Sequence, residues 1–141
     1  MSIHEKGVNV NNFEKCEYWL ELADDDLLTA KALLKTKRLL FCGFVCHLII
    51  EKAFKAVIAK RTKEMPPKTH DLPKLAQKGG LYDELSPEHL ALLDKLKNLQ
   101  IEARYPSYKD AIYHSLTFKY CDKLVKETEE LLCWIKQESE K

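Results

Sequence analysis

Residues 39–61 read LLFCGFVCHLIIEKAFKAVIAKR, and this stretch decides the fold. It contains no proline, and Phe41, Phe44, Val45, Leu48, Ile49, Ile50, Ala53, Phe54, Ala56, Val57 and Ile58 cover most of a helical circumference. No strand-like alternation competes with that pattern. A helix apolar over most of its surface is central to a fold or shared with a partner subunit. Gly43 inside it costs roughly 1 kcal/mol of helix propensity, which points to close packing at that position. No stretch of the chain reaches the ~18 to 20 apolar residues that span a bilayer.

Working outward, each flank also reads as helix. On the N-terminal side Asn11 can cap a helix, with Glu14 in the capping-box position. Trp19, Leu22, Ala23, Leu27, Ala30, Leu33 and Leu34 follow a 3.6-residue period, and Glu17, Glu21, Asp24 and Asp25 take the opposite face. This amphipathic helix is expected from Phe13 to Thr36. On the C-terminal side Met65-Pro66-Pro67 interrupts helix. Asp71 can cap a short helix, Leu72 to Lys78, that stops at Gly79-Gly80. Ser86-Pro87 starts a fourth helix running to about Ala103, and Pro106 breaks the chain again. A last helix is expected from Asp110 to Gln137.

Long helices joined by short polar links predict an all-α fold: an antiparallel up-and-down four-helix bundle with an extra short helix. Residues 1–12 are expected as a flexible N-terminal segment, 13–137 as a single helical domain and 138–141 as a tail. The 141 residues, 45% hydrophobic and 32% charged, fit one globular domain. The polar N-terminus carries no signal-peptide pattern, and five scattered cysteines fit reduced thiols, so a cytoplasmic location is expected. Cys42, Cys46 and His47 lack a second ligand pair at zinc spacing, so neither a metal nor a cofactor is expected.

The formal net charge is +1, which excludes a uniformly basic nucleic-acid coat. The charge is nevertheless segregated. Phe13 to Leu34 holds two basic and six acidic residues, while Lys35 to His70 holds nine basic and two acidic ones. A local basic face therefore remains open.

The sequence has no phosphate-binding P-loop, no GxGxxG, no HExxH and no GxSxG. Three clusters remain. His47, Glu51 and Lys55 recur at four-residue spacing on the apolar helix, with Lys52 beside them. They are either a solvated stripe with a Glu51–Lys55 pair or a polar groove or dimer contact. Lys60, Arg61, Lys63, Lys68 and His70 form a second group, either a solvated loop or a grip for phosphate. Around Pro106 lie Glu102, Arg104, Tyr105, Tyr108, Lys109 and His114. There Arg104 could hold a phosphate, the tyrosines could stack on bases, and His114 could exchange protons. Alternatively Arg104 caps the fourth helix or pairs with Glu102 while the tyrosines pack the corner.

In order and spacing, His47-Leu-Ile-Ile-Glu51-Lys52-Ala53-Phe-Lys55-Ala56, Thr69-His70-Asp71-Leu72 and Ala103-Arg104-Tyr105-Pro106 resemble the HEPN domain, a nucleotide-binding domain of higher eukaryotes and prokaryotes. The resemblance runs from about Phe13 to Ile135. It implies a helical, commonly dimeric protein, often encoded with a small nucleotidyltransferase as a toxin–antitoxin or two-component pair. Several members are metal-independent endoribonucleases with an Arg, four to six residues, then a His. Here Arg104 is followed only after nine residues by His114, and Lys109, Asp110 and Ala111 occupy the positions where that histidine would fall. The resemblance therefore favours a non-enzymatic module, a homodimer binding nucleotide or RNA phosphate. Its expected ligand-binding residues are Arg104, Tyr105, Tyr108, Lys109, Lys52, Lys55, Glu51 and His47. One alternative is an endoribonuclease toxin with Arg104 and His114 as catalytic residues. Another is a purely structural helical oligomer.

Overall fold

A computed structural model describes residues 11–62, 64–105 and 116–141. The described elements are α1 (Asn12–Lys35), α2 (Leu39–Arg61), α3 (Leu72–Lys78), a 3-10 turn (Tyr82–Glu84), α4 (Pro87–Arg104) and α5 (Phe118–Ser139). None of these helices is long and apolar enough to cross a membrane.

The starts follow the cap chemistry. Asn11 accepts the Glu14 backbone N–H at 2.8 Å, and Asp71 accepts that of Lys74 at 3.1 Å. At α4, Ser86 Oγ accepts the His89 N–H at 3.0 Å while His89 Nδ1 accepts the Ser86 N–H at 3.2 Å. This is a capping box with histidine in the position usually held by Glu or Gln. Burial pushes the His89 pKa down, which keeps Nδ1 an acceptor. The link from α1 to α2 closes on Lys37, whose φ of 61° is left-handed. Its N–H bonds Leu34 O at 3.0 Å and that of Arg38 bonds Leu33 O at 2.8 Å. That is a Schellman ending built without glycine.

The last helix differs from expectation. Thr117 is extended (φ −119°, ψ 161°) and its side chain accepts the Tyr120 N–H, so α5 starts at Phe118. A continuous helix from Asp110 is therefore excluded at Thr117; the residues before Leu116 back to Pro106 lie outside those described.

Cross-helix pairs set the directions. Asp26 meets Lys52, and Asn12 meets Thr62, so α1 and α2 run antiparallel. Asp24 with Lys136 and Lys31 with Glu129 set α5 antiparallel to α1. His89 against Trp134 and Lys95 with Glu127 set α4 antiparallel to α5. The result is the expected up-and-down bundle, with α3 in the α2–α4 connection.

The apolar helix α2 is the centre: it packs on α1, α3, α4 and α5. Ile49, Ile50, Ala53, Phe54, Val57 and Ile58 are buried against Ala30, Leu75, Leu96, Leu124 and Leu131. Gly43 faces Leu99 so closely that a Cβ there would lie 2.7 Å from Leu99 Cδ1. At the far end, Arg61 donates to Gly79 O at 2.9 Å and Glu138 O at 3.0 Å, and Lys60 donates to Ser139 O. Two cations of α2 thus neutralise the C-terminal end of α5.

Candidate functional site

The interior of so apolar a bundle disfavours charge, yet Glu51 is only 5% exposed and His47 1%. The solvated-stripe reading of His47, Glu51 and Lys55 is therefore wrong. A buried carboxylate needs partners, and Glu51 has them. Oε1 accepts from His70 Nδ1 at 2.9 Å, and Oε2 accepts from Lys55 Nζ at 3.2 Å. His47 Nδ1 approaches Oε1 at 3.5 Å and has no hydrogen-bond partner among the described residues. Burial by itself raises the Glu51 pKa. His47, His70 and Lys55 together outweigh it and hold the carboxyl at about 2.

His70 stands in the turn before α3, where Asp71 and Thr69 fix the backbone. Its ring reaches in to Glu51 with one nitrogen and out with the other. Arg104 Nη2, from the last turn of α4, lies 3.3 Å from His70 Nε2. A guanidinium can only donate, so Nε2 accepts and the proton sits on Nδ1, facing Glu51. The guanidinium also covers the Phe44 ring, 5.5 Å from its centroid. One chain of contacts thus runs from part-buried Lys55 and buried Glu51 through His70 to exposed Arg104. It joins α2, the turn before α3 and α4.

Beside His70 is an open cleft of about 320 Å³ between residues 69–73 and Lys97, Gln100 and Ile101 of α4. Larger still is a hollow of about 410 Å³ between α1 and the end of α5, but Lys60 and Lys136 on its wall already hold Ser139 and Asp24. The polar chain and the cleft share His70, and they make the candidate site.

The HEPN domain model matches residues 16–138. The chain belongs to the HEPN family. No curated protein and no solved structure matches it.

Within this HEPN domain the sequence-predicted residues divide. Arg104, Glu51, Lys55 and His47 converge as described. Lys52 faces the other way, 2.6 Å from Asp26 of α1. Tyr105 is 60% exposed and does not pack the corner after α4. Arg104 caps no carbonyl among the described residues; its hydrogen bond goes to His70. Lys60 and Arg61, read as candidate phosphate grips, are occupied by the α5 terminus. Tyr108, Lys109 and His114 lie outside the described residues. The link that sequence reasoning missed is His70, grouped there with the basic loop. A buried carboxylate about three helical turns from each end of α2 was the signal that some distant cation or N–H had to reach it.

Proposed function

We propose that this HEPN domain is a binding module in which Arg104 grips a phosphate of a nucleotide or an RNA strand. The observation that carries this reading is the support behind Arg104. The guanidinium is exposed, yet oriented by His70 Nε2 and by the face of Phe44. A pre-oriented arginine presents two parallel N–H groups to a phosphate at reduced entropic cost. Catalysis is not favoured at His70, because both ring nitrogens are engaged. It has no unoccupied lone pair to act as a base.

From the family we further propose that the module works as a homodimer beside a small nucleotidyltransferase, in a toxin–antitoxin-like pair. The exposed Glu17, Glu21 and Asp25 of α1 and the exposed Lys35, Lys37 and Arg38 at its end supply charge of both signs for such contacts.

Calorimetric titration with AMP and with a short RNA tests the phosphate site: binding is expected, and Arg104→Ala weakens it. Copurification with a co-expressed nucleotidyltransferase and light scattering test the assembly. A monomer that binds neither phosphate nor partner refutes the reading. RNA cleavage in EDTA that disappears in His114→Ala would replace it with the endoribonuclease.

A further inference from the structure

Gln100 sits on α4 one turn before Arg104 and is more than nine-tenths buried. It lines the cleft beside His70. Its primary amide carries both a donor and an acceptor for whatever fills the space. The rest of the cleft suits a flat heterocycle. Leu72, Pro73 and Ile101 supply apolar wall. His70, with both nitrogens engaged, has its ring face and carbon edge left to offer. The volume of about 320 Å³ is at the small end of ligand pockets, suited to one nucleoside and not to a larger cofactor.

We infer that this cleft is a base-recognition subsite for an adenylate unit, with Gln100 reading the adenine edge while the phosphate lies on Arg104. The inference rests on the phosphate site proposed above and adds its ligand class. Adenine presents an acceptor, N7, beside a donor, the N6 amino group, and a glutamine amide matches both at once. Guanine presents two acceptors on the same edge, which the amide meets with one hydrogen bond only. Position supports the pairing. Lys97, Gln100, Ile101 and Arg104 follow the three- and four-residue spacing of one helix face. Gln100 and Arg104 are thus about 6 Å apart along the axis, and His70 touches both the cleft and the arginine. A base in the cleft and its 5′-phosphate on Arg104 belong to one nucleotide.

Titration calorimetry on the full chain with AMP, GMP and ribose 5-phosphate tests this. AMP is expected to bind at least about tenfold more tightly than ribose 5-phosphate, and more tightly than GMP. Gln100→Leu should bring AMP down to the ribose 5-phosphate level and leave ribose 5-phosphate binding unchanged. Arg104→Ala should weaken both. Short oligo(A) against oligo(U) extends the same comparison to a strand-borne adenylate, with oligo(A) expected to win. Equal binding of AMP and ribose 5-phosphate, or an AMP advantage that survives Gln100→Leu, overturns the subsite while leaving the Arg104 phosphate site standing. Failure of every phosphate compound to bind overturns both. Should Gln100→Leu not fold, Gln100→Glu keeps the shape and removes the N–H donor, and the wild-type ranking of AMP over GMP decides independently.

Discussion

Arg104 and His70 meet at 3.3 Å, Nη2 to Nε2, across 34 residues of sequence. The contact matters because of what lies behind it. His70 is held by Glu51 at 2.9 Å, and Glu51 is part of the central helix. An exposed guanidinium is thereby referenced to the most buried element of the bundle. Surface arginines ordinarily sample many rotamers, whereas this one is braced at its edge by an imidazole and at its face by Phe44.

The charge on Glu51 is expected to stabilise the fold at neutral pH. Its pKa falls from 4.5 to about 2 on folding, so the folded state holds the carboxylate more firmly than the unfolded chain does. Stability from this group is fully present above about pH 5 and is lost as pH falls toward 2. The contribution is on the order of 3 kcal/mol. Urea unfolding from pH 7 down to pH 3 should show the loss. Glu51→Gln should be less stable at pH 7 by a similar amount and show a shallower acid dependence. An unchanged slope in Glu51→Gln would remove the carboxylate from the role given to it.

Gly43 is predicted to resist even a methyl group. Alanine gains about 1 kcal/mol of helix propensity over glycine. Against this, its Cβ would lie 2.7 Å from Leu99 Cδ1 and 3.3 Å from Leu99 Cβ. Leu99 is 3% exposed, and its Cβ is fixed to α4, so the side chain has little room to retreat. Overpacking of this kind costs about 1 to 3 kcal/mol. Thermal denaturation should show Gly43→Ala destabilised by about 1 kcal/mol net. In a Leu99→Ala background the same change should become neutral or stabilising, a coupling that a double-mutant cycle measures.

Lys37 offers the opposite case. Its φ of 61° is one that L-residues avoid and glycine adopts freely. Lys37→Gly should raise stability by about 1 kcal/mol in urea melts, with the α1–α2 turn unchanged. A loss of stability would mean that the lysine side chain does more at this turn than fill a position.

These positions show what was legible in advance. Asp71, Ser86-Pro87 and Gly79 mark helix ends by local chemistry, so α3 and α4 fall where their caps stand. The apolar circumference of α2 announced a central helix, and Gly43 its tight contact. The start of α5 was not legible by periodicity, because Tyr113, Leu116 and Tyr120 continue a helical stripe straight through Thr117. Only the cap geometry of Thr117 sets the boundary. For the site, Glu51, His70 and Arg104 were each singled out, but in three separate clusters. What joins them is the packing of α3 and α4 on α2, and that is a property of the whole core, not of any local spacing. Lys52 and Lys55, three residues apart, illustrate the same limit: one faces Asp26 of α1 and the other Glu51 and the Trp19 ring.

His70 is predicted to be a positioning residue for Arg104, and the distinction from a merely structural role is measurable. His70→Ala removes the acceptor at Nε2 and leaves Glu51 with one fewer donor, so both stability and phosphate binding should fall. His70→Gln supplies an amide NH2 donor and a carbonyl acceptor, and can restore one of the two contacts. If His70 acts through Arg104, the binding loss in His70→Ala should be about three- to tenfold. It should vanish in an Arg104→Ala background, where there is no guanidinium left to orient. The stability loss should persist in that background, because the Glu51 contact is independent of Arg104. Titration with AMP and urea melts of the two single variants and the double variant supply all four corners of the cycle. Binding losses that simply add would show that His70 touches the ligand itself and does not work by holding the arginine.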